Sequence, residues 1–239
     1  MLMNYSYLDC LAMLGVGGAH PGGLKLTKKL LAHEKLDVST SVLDAGCGTG
    51  QTAAYIAKEY GCHVTALDNN KLMVKKANDR FLTEKLQMRA VEGSVEDLPF
   101  ADASFDIILS ESVILFTGVA RSIPEFKRVL KPNGKLLAIE MVMEKELHDE
   151  ELGILKTFYE DAIFRSEEAW RQAFNHAGFQ EVQVEKTEVQ FDSEDVDSVP
   201  DFSLTEQMDP AYFDIMKEHE EIMESFENKL GFRIFKCIK

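Results

Sequence analysis

From about residue 40 onward, short apolar runs alternate with stretches whose apolar residues recur every three to four positions. Ser41–Asp44 and His63–Leu67 read as strands, and "QTAAYIAKEY" between them reads as a helix closed by Gly61. A further helix follows over "NKLMVKKANDRF", then a third strand in "MRAVEG" and a fourth in "FDIILS". "RSIPEFKRVL" predicts a helix whose proper start lies near Pro124, because proline suits a first turn. "KPNG" has turn chemistry, and "KLLAIEMVM" is a long fifth strand. Strands joined through helices form βαβ units. Their right-handed crossovers predict an α/β fold with a doubly wound, mostly parallel sheet covered on both faces.

After the fifth strand the pattern changes. "HDEELGILKTFYEDAIF" and "SEEAWRQAFNHAG" read as amphipathic helices, the second with Ser166 as N-cap and Gly178 past its end. "EVQVEKTEVQ" and "RIFKCI" alternate as strands do. About forty residues, Phe191 to Leu230, separate them. They hold an acidic loop, "DSEDVDSVPD", and a helix from Pro210 capped by Asp209, with an apolar stripe through Tyr212, Ile215/Met216, Met223, Phe226 and Leu230. The N-terminal "MLMNYSYLDCLAMLG" lacks the basic start and cleavage pattern of a secretory signal and reads as a helix of the mature protein. With no repeat or low-complexity linker, the expectation is one domain: a helical N-terminal cap over 1–36, a core over 37–143, and a substrate-side part over 144–239 carrying the insertion at 191–230.

Composition narrows the class. The 239 residues are 45% hydrophobic and 28% charged, as in globular proteins, and no apolar run is long enough to span a membrane. A net charge of −15 repels phosphate backbones, so nucleic acid is not an expected partner. Cys10, Cys47, Cys62 and Cys237 are scattered without metal-ligand spacing, which suits reduced thiols in the cytoplasm; no metal is expected.

The chemistry concentrates in "SVLDAGCGTG", with Gly46, Gly48 and Gly50 on alternate positions. A glycine-rich turn between a strand and a helix lets backbone N–H groups approach a polar ligand, or serves tight packing alone. Asp44, just before the loop, would repel a pyrophosphate but pair with an ammonium. Asp68, ending the second strand, suits the two hydroxyls of a ribose; its other reading is a solvated strand-end acid or a helix cap.

Together "LDAGCGTG", "ALDNN", "GSVEDLPFADASFDIILS" and "LKPNGKLLAIE", in that order, resemble the class I S-adenosylmethionine-dependent methyltransferases, nearest the small-molecule branch that includes quinone C-methylating enzymes. The resemblance implies a Rossmann-like seven-stranded sheet whose last strand runs antiparallel. It implies S-adenosylmethionine as cofactor, S-adenosylhomocysteine as product and a small-molecule acceptor. Asp44 and the Gly46–Gly50 backbone would hold the methionine end, with the glycines making room for it. Asp68 would take the ribose and Asn69 would line the adenine. Ser94 and Val95 would border the adenine, and Ser110 and Glu111 would lie under the sulfonium. Ser94 replaces a common aspartate of the family; its hydroxyl can accept without charge assistance, so the adenine contact would be weaker here, or Glu96 or Asp97 would contribute instead unless they form a solvated turn.

"GVGGAHPGGLKLT" contains five glycines and a His-Pro pair. It reads either as a flexible connection or as the start of a helix closing the cleft, with His20 at substrate or cofactor. Ligands in open sheets lie beyond the carboxyl ends of the strands, which makes the 191–230 insertion a lid or an accessory edge cover, and Asp192–Leu230 and Glu144–Phe164 candidate pocket walls. Phe158, Tyr159, Phe191 and Phe202 suit a hydrophobic ring or quinone, while the acidic lid suits an amine. If the acceptor must lose a proton, His20, Glu111 and Tyr159 are candidate bases, with nothing to rank them. Glu111 as a plain ligand contact and Tyr159 as a packed helix face are the alternatives. Two other functions stay open: a regulator that binds the cofactor without transfer, and an NAD-linked oxidoreductase, whose loop would normally space its glycines G-x-G-x-x-G.

Overall fold

The computed structural model describes residues 5–160, 162–187, 197, 201–205 and 209–239. Its first helix, α1 (Tyr7–Leu14), is entered through a reciprocal cap. Ser6 Oγ accepts the Asp9 N–H at 3.0 Å, and the Asp9 carboxylate accepts the Ser6 N–H at 3.2 Å. Gly15 ends it in the left-handed region. A two-residue strand, β1 (Val16–Gly17), and the His-Pro-Gly-Gly bend lead into α2 (Gly23–Leu31), so the segment opens a helix.

The alternating array follows as β2 (Ser41–Ala45), α3 (Gln51–Tyr60), β3 (His63–Asp68), α4 (Lys71–Thr83), β4 (Ala90–Glu92), β5 (Phe105–Glu111), α5 (Val119–Val129) and β6 (Leu130–Met143). Beyond it come α6 (Asp149–Tyr159), β7 (Arg165–Ser166), α7 (Glu167–His176), β8 (Glu181–Glu185), β9 (Asp201–Phe202), α8 (Ala211–Ser225) and β10 (Leu230–Ile238). The main sheet runs β4-β3-β2-β5-β6-β10-β8, with β7 added beside the end of β6. Strands β2 to β6 are parallel, and β10 is antiparallel to both β6 and β8. Strand order reverses between β2 and β5, the place where such sheets receive ligands.

Alternation sends successive side chains to opposite faces. Leu43 and Ile108 join Phe126 of α5 and Trp170 and Phe174 of α7 in one core. Val42, Ile107 and Leu109 join Leu30 and Leu31 of α2 and Ile56 of α3 in the other. Asp44 and Glu111 have the parity of Val42 and Leu109, so their carboxylates face α2 and α3.

Three local expectations are corrected. Helix α5 begins at Val119, and Pro124 lies inside it. The lost N–H would have met the carbonyl of Ala120, and both residues are exposed, while Ser122, Ile123, Phe126 and Val129 are buried against the sheet. The "KPNG" turn is a bulge within β6: pairing steps from Phe105 opposite Leu130 to Ile107 opposite Lys135, with Asn133 at φ 63°. Leu230 does not extend the stripe of α8, which ends at Ser225; it starts β10. Asp209 does cap α8, accepting the Ala211 N–H at 3.0 Å.

The described part of the insertion closes onto the N-terminal elements. β9 pairs antiparallel with β1, Arg80 pairs with Asp201, Lys28 with Asp197 at 2.5 Å, and Tyr212 of α8 packs among the buried residues of α1. Most of the acidic loop, and Phe191, lie outside the described residues. Phe202 is 53% exposed on β9.

Candidate active site

Three polar side chains, Asp44, Ser110 and Glu111, lie buried at the carboxyl ends of β2 and β5. Asp44 is 3% exposed and Ser110 fully buried; Asp44 Oδ2 and Ser110 Oγ have no hydrogen-bond partner. Burial, then the Glu111 carboxylate, pushes the Asp44 carboxyl well above the usual range, against one Ala53 N–H that favours its charged form. Orphaned buried polar atoms are uncommon and costly, so Asp44 Oδ2 beside the Glu111 carboxylate marks a place made for a ligand, whereas Ser110 has the parity of Ile108 and turns to the opposite face of the sheet.

Glu111 beside them is fully held. Thr52 Oγ1 donates to its Oε2 at 2.9 Å, Thr27 Oγ1 donates to Oε1, and His20 Nε2 lies 3.4 Å from Oε1. The His20 side chain is 2% exposed and also reaches Thr27 Oγ1 at 3.3 Å. It therefore buttresses Glu111 and joins the start of α2 to the end of β5.

The glycine loop divides its labour. A Cβ at Gly46 would drive into the Val113 side chain, and one at Gly50 would come within 2.7 Å of Phe81. Both glycines serve close packing at positive φ. Only Gly48, at φ 52°, has nothing within 4 Å of a notional Cβ. The expectation that all three make room for a ligand is thus corrected: the loop N–H groups of Gly46 and Cys47 also turn inward, to the carbonyl of Leu67 at 2.8 and 2.9 Å. The Gly48 N–H donates to Asp68 Oδ2 and the Asn70 N–H to Asp68 Oδ1, each at 2.9 Å. Burial raises the Asp68 carboxyl above its ordinary value, and these N–H groups oppose the rise.

Other predicted positions separate. Val95 is a core residue beside Leu43 and Leu67. Ser94 is exposed and accepts the Glu96 N–H at 3.1 Å. Glu96 is no solvated turn residue: it pairs with Arg121 and accepts the Gly118 N–H, both at 2.5 Å, and so anchors the start of α5, while Asp97 is exposed. Asn69 lines a cavity of about 180 Å³ together with Tyr159. Tyr159 is a packed residue whose hydroxyl lies 2.7 Å from His219 Nδ1. Among the described residues no cluster of His, Cys, Asp or Glu is placed to hold a metal, and no helix is long and apolar enough to cross a membrane.

Thr27, Thr52, Glu140 and His219 were not anticipated. Thr52 had a signal, a hydroxyl in the first turn after the glycine loop. Glu140 had none: it sits in the middle of β6, fully buried, and accepts the N–H groups of Val113, Ile114 and Leu115 at 3.3, 2.9 and 3.2 Å. It fixes the segment after β5 that lays Val113 on Gly46, and burial raises its carboxyl to about 8.

Residues 43–138 match the methyltransferase domain family. The chain is 36% identical, over 98% of its length and 99% of the relative's, to the uncharacterized methyltransferase YodH of Bacillus subtilis (strain 168). The chain is a class I S-adenosylmethionine-dependent methyltransferase. A second relative, the glycine/sarcosine/dimethylglycine N-methyltransferase of Actinopolyspora halophila, is 34% identical over 63% of this methyltransferase and 28% of its own length. A Haemonchus contortus phosphoethanolamine N-methyltransferase 2, solved with phosphomonomethylethanolamine and S-adenosylhomocysteine, superposes with a TM-score of 0.72 at 18% identity, over 100% of this chain and 58% of that one. That likeness is one of fold. Family membership removes the NAD-linked reading.

Proposed function

We propose that Asp44 and Glu111 receive the methionine end of S-adenosylmethionine, that Asp68 and Gly48 receive its ribose, and that the methyl passes to a small-molecule acceptor. The observation that carries this reading is the orphaned Asp44 Oδ2, buried beside the Glu111 carboxylate at the reversal of strand order. An ammonium supplies the donors and the charge this acidic pocket lacks. Asp68 keeps acceptor capacity beyond the two N–H groups it already holds, which suits hydroxyl donors. Asn69 and the backbone about Ser94 and Val95 border the adenine in this reading.

The bound cofactor supplies a methyl already activated on a sulfonium. The chain's residues bind and orient it, keep water from the reacting centre, and receive a proton where the acceptor has one to lose. His20, Thr27 and Thr52 keep Glu111 in one rotamer. The N-terminal cap, the 37–143 core and the later helices would work as one unit, with α1, α8 and β9 as the cover. The N-methyltransferases among the relatives and the resemblance to quinone-methylating enzymes both support a small acceptor.

Calorimetric titration with S-adenosylmethionine and S-adenosylhomocysteine tests the assignment. Both are expected to bind. Asp68→Ala is expected to weaken each by about 1–3 kcal/mol, for the lost hydrogen bonds. An unchanged dissociation constant in that variant would remove Asp68 from the site.

A further inference from the structure

The cavity of about 180 Å³ has a chemistry of its own. Asn69, directly after Asp68, and Phe116, in the turn after β5, place it beyond the carboxyl ends of two strands. Tyr7 of α1, Phe158 and Tyr159 of α6, and Ser6, Leu8 and Glu160 supply its other walls, so aromatic rings make half of its lining residues, with hydroxyl and amide groups among the rest. No lysine or arginine lines it, and its one carboxylate, Glu160, is exposed. Such walls leave a phosphate or carboxylate without a cationic partner. The volume suits a single ring, since an apolar cavity of roughly 150 Å³ admits benzene.

One wall can move a proton. The Tyr159 hydroxyl lies 2.7 Å from His219 Nδ1, and the Tyr7 ring stacks on the His219 imidazole with centroids 4.7 Å apart. Burial lowers the His219 pKa, which leaves a neutral ring able to accept, and burial raises that of Tyr159, which keeps its hydroxyl protonated.

We infer that this cavity is the acceptor subsite and that it takes a small, uncharged, single-ring phenol. The inference rests on the cofactor assignment above. As the phenol oxygen forms its bond to the methyl carbon, the carbon–sulfur bond breaks and its electron pair stays on sulfur, giving neutral S-adenosylhomocysteine. The phenol proton passes to Tyr159 Oη, and the Tyr159 proton passes to His219 Nδ1, so the positive charge ends on the imidazole. Tyr159 touches the acceptor; His219 acts through it.

The test first titrates the full chain with S-adenosylhomocysteine, then titrates the loaded protein with 4-methylphenol and, separately, with phosphoethanolamine and glycine. Only 4-methylphenol is expected to bind, and S-adenosylmethionine is then expected to yield its methyl ether. Leu8→Trp fills the cavity from an exposed position and is expected to weaken 4-methylphenol at least tenfold, with S-adenosylhomocysteine unchanged within twofold. His219→Gln is expected to remove the acid limb of the pH–rate profile rather than scale the rate uniformly. The inference is overturned if the loaded chain ignores 4-methylphenol, binds it without forming the ether, or binds phosphoethanolamine or glycine instead. Equal binding by Leu8→Trp, or an unaltered pH profile in His219→Gln, also overturns it. Failure of S-adenosylhomocysteine to bind is a separate result, which removes the cofactor assignment first and this inference with it.

Discussion

Two charge clusters in this methyltransferase, each around one buried charge, are built on opposite principles. Around β10, Arg233 is 6% exposed and completely answered: Glu144 accepts two of its N–H groups at 2.7 and 3.0 Å and Glu167 a third at 2.7 Å. The Arg233 hydrogen bonds draw the Glu144 carboxyl down to about 2. At the end of β2, Asp44 has a neighbouring carboxylate instead of a cation, an orphaned oxygen, and a carboxyl pushed upward. The first cluster is finished without any partner and stabilises the fold. The second is finished only by a cation from outside and costs stability until it arrives. A buried charge thus reports structure or function according to whether its answer lies in the chain.

Breaking the finished cluster should have the largest effect on stability. Arg233→Met is expected to cost about 1–3 kcal/mol in denaturant unfolding, because it removes three charge-assisted hydrogen bonds while Lys186 and Arg171 still answer Glu144 and Glu167. The S-adenosylhomocysteine dissociation constant of the folded variant should stay within threefold. A loss of affinity equal to the loss of stability would erase the distinction between the clusters.

Asp44→Asn should show the reverse. Cofactor affinity is expected to fall on the order of 10²-fold, as when one partner of a buried charge pair is removed. The unliganded variant should melt higher than the parent at pH 7. The folded-state pKa of Asp44 is raised, so ionisation favours the unfolded chain, and the stability present below about pH 4 is lost as pH rises. Asparagine does not titrate, so the melting gap should close toward pH 4. A variant that melts lower at pH 7 would mean that Asp44 has an answering partner within the fold.

The glycine loop allows the smallest and sharpest cut. Gly46→Ala meets Val113 as well as an unfavourable φ, whereas Gly48→Ala meets the φ penalty alone. Melting should fall further for the first, and Gly48→Ala should cost about 1 kcal/mol. If cofactor binding weakens more in Gly46→Ala than in Gly48→Ala at a temperature where both are folded, the gap at Gly48 is not where a ligand approaches.

The array from β2 to β6 was legible because its signals are local. Period-two runs and the stop at Gly61 each act within a few residues, as does the Ser166 cap beyond the array. Pro124 misled because its tolerance inside α5 depends on which helix face meets water, a tertiary fact. Asp44 and Asp68 were nameable because strand ends converge wherever a parallel sheet forms, whereas Ser110 and Glu111 were named only through the family resemblance. The burial of Val95 was not legible because it depends on Leu43 and Leu67, fifty and thirty residues away. Glu96 likewise takes its partners from Gly118 and Arg121.

Alternation and spacing along the chain alone determined a doubly wound sheet and the convergence of acids at one edge, since both follow from strand parity and right-handed crossovers. Packing decided the rest. Only the fold could set His20, Thr27 and Thr52 around Glu111, give two of three loop glycines to Val113 and Phe81, leave Asp44 unanswered, and bring Tyr159 to His219 across sixty residues. Those contacts span distances over which no local periodicity carries information, and their energies come from burial, which no single segment possesses by itself.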